Sequence, residues 1–199
     1  VYLKSLYAGD DFFKNTRTVF TIHNLGYQGN FWHYDLPLAH LPWELFTPEG
    51  VEFYGKFSFL KSGLVFADKL TTVSPTYAKE ILTEEFGFGL DGVLRHRSKD
   101  LHGILNGADY EEWNPEQDTL IKKKFNPQVL SGKQACRKEL VRMHSLKIKE
   151  TTPILCMVSR FTKQKGIELI MKSMDMIMKN DVALIILGAG EKTYHDFFV

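Results

Sequence analysis

Two nearby cations, Arg160 and Lys165, could together hold a phosphate group. The planar guanidinium of arginine can bind two phosphate oxygens at once, whereas the lysine ammonium acts as a point charge. A predicted helix over 167–179 follows directly, and the start of a helix adds free backbone N–H groups and the positive end of a dipole. The pattern therefore predicts an anion site. On the local sequence alone, the alternative that both cations simply lie in solvent stays open.

The elements around these cations are predicted to form a parallel sheet. Residues 154–158 are an unbroken apolar run, which is typical of a strand buried on both faces. The predicted helix leads to a second strand over 181–187, so the two strands should be parallel and joined by a right-handed crossover. Open α/β sheets hold ligands at the carboxyl ends of their strands, and Arg160 stands at such an end.

A second pair of polar residues, His23 and Asn24, follows another predicted strand. Residues 18–22 are β-branched and aromatic, and the loop over 25–30 is rich in turn-forming residues. Both side chains are thus delivered to the carboxyl end of a strand. A lone histidine at a strand end is more often structural than catalytic, so the local pattern leaves both roles open for His23.

Gly188 and Gly190 follow the strand predicted over 181–187. A dinucleotide-binding fingerprint would have a third glycine where Thr193 stands, and the first strand of this sheet does not carry the motif. The sequence also contains no P-loop and no nucleophile elbow. These observations argue against a dehydrogenase, a P-loop nucleotide hydrolase and an α/β-hydrolase.

Five stretches of the sequence together resemble a known enzyme family. They are RTVFTIHNLGYQG (17–29), FLKSGLVFADKLTTVSPTYAKEI (59–81), ILNGADYEEWNPEQD (104–118), VSRFTKQKG (158–166) and LIILGAG (184–190). Their order and separation resemble those of the bacterial glycogen synthases and the related starch synthases. The resemblance covers nearly all of the chain, and five motifs in order are far more specific than any one of them.

The resemblance implies an α/β protein of the GT-B glycosyltransferase class, with two Rossmann-like domains that have parallel sheets and are both incomplete here. Residues 1–104 would be the carboxy-terminal half of the acceptor-side domain. Residues 105–199 would be the amino-terminal half of the nucleotide-sugar-binding domain. The chain starts at Val1 and stops within an apparent helix, and the family's glycine-rich and acidic loops are not found in the sequence. We therefore expect a central fragment that is inactive and poorly stable by itself.

The implied activity is transfer of glucose from ADP-glucose to the nonreducing 4-hydroxyl of an α-1,4-glucan. The transfer would proceed with retention and need neither a metal ion nor a cofactor. His23 would contact the donor glucose, Asn24 would orient the site, and Arg160 with Lys165 would bind the diphosphate. A related transferase with another nucleotide sugar, or a non-catalytic glucan-binding relative, remains the alternative.

Five further residues are implied to bind substrate. Gly188 and Gly190 would let the backbone approach the adenine and ribose of the nucleotide sugar. Asn106 would line the interdomain cleft, although on local grounds an ordinary Asn-Gly turn is a strong alternative. The remaining two, Tyr27 and Gln28, belong to the HNLGYQG motif.

Composition limits the partners and the environment. The formal net charge of +1 gives no indication of nucleic acid or of an anionic membrane as a partner, and no apolar stretch has membrane-spanning length. Cys136 and Cys156 are isolated and lack a metal-type spacing, so we expect reduced, buried thiols and a cytoplasmic protein. The family resemblance implies that the cytoplasm is bacterial. The seven histidines show no paired ligand spacing, and no metal site is predicted.

The other elements are predicted from local signals. Residues 2–13 are expected to form a short helix, and 57–67 a mostly buried one. Ser74 and Pro75 should begin the helix after a strand over 69–73, and Ser131 should cap a helix through 144. The aromatic stretch 31–54 either stacks on sugar rings or, as we favour, anchors a long surface insertion.

Overall fold

Parallel pairing of short strands organises both halves of the chain. In this computed structural model, which describes residues 1–198, the chain divides into one compact unit over Val1–Ala108 and a second that begins at Asp109. Both units contain a parallel sheet with helices, which confirms the predicted α/β class. The assignment of the units to halves of two enzyme domains, with its boundary after residue 104, stays a prediction.

The regular elements are short. The strands are β1 (Val19–Ile22), β2 (Asn30–Trp32), β3 (Glu52–Phe53), β4 (Lys56–Ser58), β5 (Lys69–Thr72), β6 (Leu101–Gly103), β7 (Ile154–Val158) and β8 (Ala183–Leu187). The α-helices are α1 (Phe59–Phe66), α2 (Pro75–Glu80), α3 (Glu84–Gly87), α4 (Asp91–His96), α5 (Ser131–Met143), α6 (Ile167–Met178) and α7 (Lys192–Phe198). None of the described helices is long and apolar enough to cross a membrane.

The first unit is built on a parallel sheet in the order β1-β5-β6. Ile22 pairs with Thr72 in register, and Thr72 pairs with Gly103. One core joins the sheet to its helices and consists of Ile22, Leu25, Phe53, Leu60, Leu64, Leu70, Ile81, Leu90 and Leu94. The carboxyl ends of three strands therefore lie at one edge above a closed apolar core.

The segment between β1 and α1 contains a second, antiparallel sheet in the order β2-β4-β3. Its core consists of Leu36, Leu41, Val51 and Phe57. The buried ammonium of Lys61 donates to the backbone carbonyls of Pro48 and Glu52, so this lysine fastens the segment to α1. Loss of hydration on burial lowers the pKa of Lys61. The sequence predicted a long loop-rich insertion here and did not predict the sheet.

Three predictions concerned the helices, and the structure contradicts two of them and confirms one. The segment 2–13 forms only a 3₁₀ turn over Tyr2–Lys4, and further along the Asp10 side chain accepts from the Phe12 N–H, a local bond that competes with helix. Ser131 is the first residue of α5 rather than its cap, and no side chain caps that helix. Ser74 does cap α2, because its hydroxyl accepts from the N–H groups that follow Pro75.

The second unit has a smaller and more open sheet. β7 and β8 pair in parallel from Ile154 with Ala183 to Val158 with Leu187, as predicted. Among the described residues β7 has no other neighbour, and its middle and end side chains are exposed. The expectation of a strand buried on both faces, with a buried Cys156, is therefore wrong: the Cys156 thiol is free and exposed.

Candidate active site

The first half of the predicted site lies at the carboxyl edge of the β1-β5-β6 sheet. His23 follows the last residue of β1, and Asn106 comes shortly after β6. Gly103 is needed at the end of β6, because a Cβ there would lie only 2.5 Å from the Pro75 nitrogen. The side chains of His23 and Asn106 are both exposed. The structure thus places both on the edge where α/β proteins bind ligands.

Side chains from neighbouring elements fix the backbone around His23. The Thr72 hydroxyl donates to the Ile22 carbonyl at 2.8 Å, and the Leu25 N–H donates to the Tyr77 hydroxyl at 3.1 Å. Leu25 is fully buried in the core below. The chain is consequently anchored on both sides of His23, while the imidazole itself faces solvent.

The remaining side chains of the HNLGYQG motif are of two kinds: some form hydrogen bonds within the protein, and others are exposed to solvent. The Asn24 side-chain oxygen accepts from the Gly26 N–H at 2.9 Å, a bond that closes a tight turn. Gln28 donates to the Phe88 carbonyl at 2.9 Å and accepts from the Asn30 amide at 3.0 Å. Both ends of Gln28 are thus bound within the protein, whereas Tyr27 is exposed. Substrate contact by Tyr27 and Gln28 stays a prediction.

The predicted site residues of the second unit begin in the turn that follows β7, in which exposed Arg160 stands between Ser159 and buried Phe161. The Ser159 N–H donates to the Leu187 carbonyl at 3.1 Å, and the Phe161 N–H donates to the Ala189 carbonyl at 2.8 Å. Parallel pairing therefore continues past the ends of β7 and β8 on both sides of Arg160. Phe161 also joins a small core with Ile167 and Tyr194.

Gly188 and Gly190 are required by the close approach of this turn. A Cβ on Gly188 would lie 2.6 Å from the Phe161 ring and closer still to the Ser159 carbonyl oxygen. A Cβ on Gly190 would overlap the backbone of Phe161. Sequence reasoning assigned these glycines to nucleotide contact, which stays a prediction. It missed their packing role and missed Phe161, whose only sequence signal is an aromatic residue directly after Arg160.

Lys165 ends a 3₁₀ turn over Lys163–Lys165, and Gly166 in the left-handed conformation (φ 72°) leads into α6. Within residues 1–198 the side chains of Arg160, Lys163 and Lys165 are exposed and have no ion-pair or hydrogen-bond partner. Glu168, in the first turn of α6, accepts from the Tyr194 hydroxyl at 3.0 Å. Burial, and then the hydrogen bond to Glu168, raises the pKa of Tyr194. The carboxylate nearest to Lys165 in sequence is thus bound to a tyrosine.

The cavities of the second unit lie away from the predicted site residues. Two clefts of about 640 and 690 Å³ lie along α5, and none of the predicted site residues lines them. In the part of the chain that the structure describes, no group of three or more His, Cys, Asp or Glu residues could hold a metal ion. The predicted residues therefore stand on exposed strand ends, each half within its own unit.

Comparison with known proteins decides the family. Residues 1–96 match the model for the starch synthase catalytic domain, and residues 141–196 match the model for group 1 glycosyl transferases. A glycogen synthase of Pseudothermotoga lettingae is 49% identical over all of this chain and 41% of its own length. One of Koribacter versatilis is 50% identical over 98% of this chain and 40% of its own length. The chain belongs to the glycogen synthase and starch synthase family.

The structural comparison gives the same family and its GT-B fold. The catalytic domain of Starch Synthase IV from Arabidopsis thaliana, solved bound to ADP and acarbose, superposes with a TM-score of 0.89 at 30% identity. The match covers 99% of this chain and 41% of that one. The predicted membership of the glycogen synthase and starch synthase family is confirmed, and the chain spans about 41% of the length of these relatives.

Proposed function

We propose that the full-length protein is a glycogen synthase of the bacterial cytoplasm. It transfers glucose from ADP-glucose to the nonreducing 4-hydroxyl of an α-1,4-glucan, with retention and without a metal ion. The observation that carries this proposal is the joint presence of both strand-end loops, HNLGYQG after β1 and Arg160 to Lys165 after β7, in a chain 45–50% identical to proteins called glycogen synthase. The ADP bound to Starch Synthase IV supports the choice of donor.

The proposed chemistry depends on the charge that develops when the glycosidic bond breaks. The departing diphosphate gains negative charge, and fixed cations directed at it stabilise the transition state more than the ground state. Arg160 and Lys165 supply that charge, and no carboxylate among the described residues neutralises either of them. The hydrogen bonds of Ser159 and Phe161 fix the backbone from which Arg160 projects.

His23 and Asn24 hold the donor glucose in this proposal. The exposed imidazole of His23 contacts the sugar, and Asn24 sets the shape of the loop through its bond to the Gly26 N–H. Tyr27, Gln28 and Asn106 complete the substrate-binding set of the first unit. Gly188 and Gly190 give the nucleotide a surface without side chains beside the Arg160 turn.

The test is alanine substitution of each cation in the full-length protein. A charge-assisted hydrogen bond to phosphate contributes roughly 1.5 to 3 kcal/mol, so Arg160→Ala and Lys165→Ala should each lower kcat/KM by about tenfold to more than a hundredfold. The melting temperature should hardly change, because both side chains are exposed. The measurement is incorporation of labelled glucose into glycogen, with ADP-glucose and UDP-glucose compared as donors and repeated with a metal chelator.

Lys163 provides the matched control. It has the same charge as Lys165, belongs to the same 3₁₀ turn and is also exposed, but it is not a predicted site residue. Lys163→Ala should lose little, as expected of a screened surface cation. Arg160→Lys should restore only part of the activity, since an ammonium cannot make the two-pronged contact. Equal losses in all three alanine variants would refute the phosphate assignment.

A further inference from the structure

A carboxylate, that of Glu168, stands three residues after Lys165 in the first turn of α6. Ion pairs at this spacing form elsewhere in the protein: Lys14 with Asp11 at 3.0 Å, Arg97 with Asp100 at 3.1 Å and Arg142 with Glu139 at 2.7 Å. Lysine has a flexible four-carbon stem, so the Lys165 ammonium can reach Glu168 as well. Among residues 1–198, however, Lys165 is exposed and has no ion-pair partner. The two charges are therefore close in sequence but not paired.

The Glu168 carboxylate is held instead by Tyr194 of α7, whose hydroxyl donates to it at 3.0 Å. Tyr194 is only 6% exposed and packs in a small core with Phe161 and Ile167. Burial, and then the bond to Glu168, raises the pKa of Tyr194, so its hydroxyl stays protonated and remains a donor. Glu168 is itself half-buried. A buried donor thus holds the carboxylate against α7, while the Lys165 side chain stays in solvent.

The position of Tyr194 is fixed from the side of the Arg160 turn. The Glu191 N–H donates to the Phe161 carbonyl at 3.0 Å, and the Tyr194 N–H donates to the Glu191 carbonyl at 3.1 Å. Phe161 follows Arg160 directly. The hydrogen bond from Tyr194 to α6 therefore joins the Arg160 turn to the helix that follows Lys165.

Release of Glu168 would change the charge that an anion meets. A carboxylate that loses its hydroxyl donor needs another partner, and Lys165 is the cation nearest to it in sequence. A diphosphate would then compete with the carboxylate for the same ammonium. Because exposed ion pairs are weak, this competition should weaken diphosphate binding by only about two- to fivefold. A bond that merely fastened α7 to α6 would show no dependence on the charge of Glu168.

We propose that Tyr194 and Glu168 are positioning residues for Lys165. The Tyr194 hydroxyl holds the Glu168 carboxylate away from the Lys165 ammonium, which stays free for the diphosphate of the donor. Neither residue touches the substrate, and both act through Lys165. The inference rests on the proposed function, because it takes the diphosphate as the ligand of Lys165.

The test is the affinity of the full-length protein for ADP and for UDP, measured by isothermal titration calorimetry without any glucan. Tyr194→Phe keeps the ring in its core and removes only the hydroxyl, and it should weaken nucleotide binding by about two- to fivefold. Adding Glu168→Gln should restore wild-type affinity, because the side chain that competes for Lys165 has lost its charge. The gain from Glu168→Gln should be smaller in the wild-type background, where the amide oxygen still accepts from Tyr194.

Glu191→Gln is the matched control, since it removes an exposed carboxylate three residues before Tyr194. Its effect on affinity should be the same with and without Tyr194→Phe. In a Lys165→Ala background, Tyr194→Phe should cause no further loss of affinity. The melting temperature is measured for every variant. It should be similar in Tyr194→Phe and in the double variant with Glu168→Gln, so that restored affinity cannot be ascribed to restored stability.

Three results would overturn the inference. The first is wild-type affinity in Tyr194→Phe. The second is a double variant that binds no more tightly than Tyr194→Phe alone, which is the result expected of a bond with a structural role only. The third is a wild type that binds neither ADP nor UDP. Nucleotide binding without transfer of glucose would instead count against the proposed function alone.

Discussion

The two strand-end loops of the candidate site are fixed in different ways. The loop after β1 is held by side-chain hydroxyls, those of Thr72 and Tyr77, which bond to its backbone. The turn after β7 is held by backbone–backbone hydrogen bonds, and it fits because Gly188 has no side chain. One loop should therefore be sensitive to the loss of a single hydroxyl group. The other should be sensitive to the addition of a single carbon atom.

The sheets beneath the two loops also differ, in the number of strands and in the burial of their side chains. The first unit has three parallel strands over a closed core, whereas the described part of the second unit has two strands with largely exposed side chains. A loop above a closed core can be anchored by side chains that reach it from neighbouring helices, as Tyr77 does from α2. A loop above an open two-stranded sheet depends on its immediate partner strand.

Gly188→Ala should distort the turn after β7 and cause the largest loss of activity. The new Cβ would overlap the Ser159 carbonyl and the Phe161 ring, so the turn that carries Arg160 must move. A displacement of about 1 Å can lower turnover about a hundredfold, and we expect a loss of kcat/KM of that order in the full-length protein. Steady-state transfer of labelled glucose is the measurement.

A double variant separates this positioning role from general damage. If Gly188 acts through Arg160, then Gly188→Ala combined with Arg160→Ala should lose little more than Arg160→Ala alone. Gly92→Ala is the control, because a Cβ there meets nothing within 4 Å and alanine suits the interior of α4. Normal kcat/KM in Gly188→Ala would show that the close packing does not position Arg160.

Tyr77→Phe should weaken the first loop by a smaller amount. The ring stays, but the buried Leu25 N–H loses its acceptor, which lowers the free energy of unfolding by about 1 to 3 kcal/mol. Urea unfolding measures the change. Tyr110→Phe removes a hydroxyl from an exposed tyrosine and should leave the free energy of unfolding unchanged. Equal stability of the two variants would mean that the Leu25 bond does not anchor the loop.

The smallest expected effect is on the pH dependence of the melting temperature. It can be compared for one carboxylate of each unit. The hydrogen bond from Lys4, followed by that from the Thr18 N–H, holds the pKa of Asp68 well below its usual range. The bonds from Lys149 and then Thr152 lower the pKa of Asp181. A depressed carboxylate pKa stabilises the fold above the unfolded value of about 4, and this stabilisation is lost as the pH falls below it.

Asp68 is much less exposed than Asp181, so solvent screens its interactions less. Asp68→Asn should therefore flatten the dependence of the melting temperature on pH between about 3 and 6 more than Asp181→Asn does. Thermal unfolding followed by circular dichroism across this range is the measurement. A larger flattening in Asp181→Asn would reverse the ranking of the two units.

Local signals predicted much of the fold. The cap of α2 is set by Ser74 and Pro75 alone, and the parallel pairing of β7 with β8 follows from two apolar runs joined by an amphipathic helix. Family membership could also be inferred, because five motifs occur in order. The exposure of β7 could not be inferred, since an apolar run does not state how many neighbours the strand has.

The anchoring of the candidate site was beyond sequence reasoning for a different reason. The contacts of Gly188 with Phe161 and of Leu25 with Tyr77 join residues far apart in the chain. Gly188 and Gly190 indicate that something approaches the backbone closely. The sequence does not say whether that is a ligand or another segment of the protein, so they were assigned to nucleotide contact. A similar contact lies at the start of α5, where a Cβ on Gly132, the residue after Ser131, would overlap the Lys124 carbonyl, and the sequence does not indicate that approach either.

Continuation of parallel pairing past β7 and β8 has a thermodynamic consequence for the Arg160 turn. The Ser159 and Phe161 N–H groups donate to the backbone carbonyls of Leu187 and Ala189, so the backbone of Arg160 is ordered when the sheet forms rather than when a ligand arrives. The conformational entropy of this turn is then lost during folding, and binding of an anion need not supply it. Hydrogen exchange should accordingly be slow at the amides of Ser159 and Phe161 even in the absence of nucleotide.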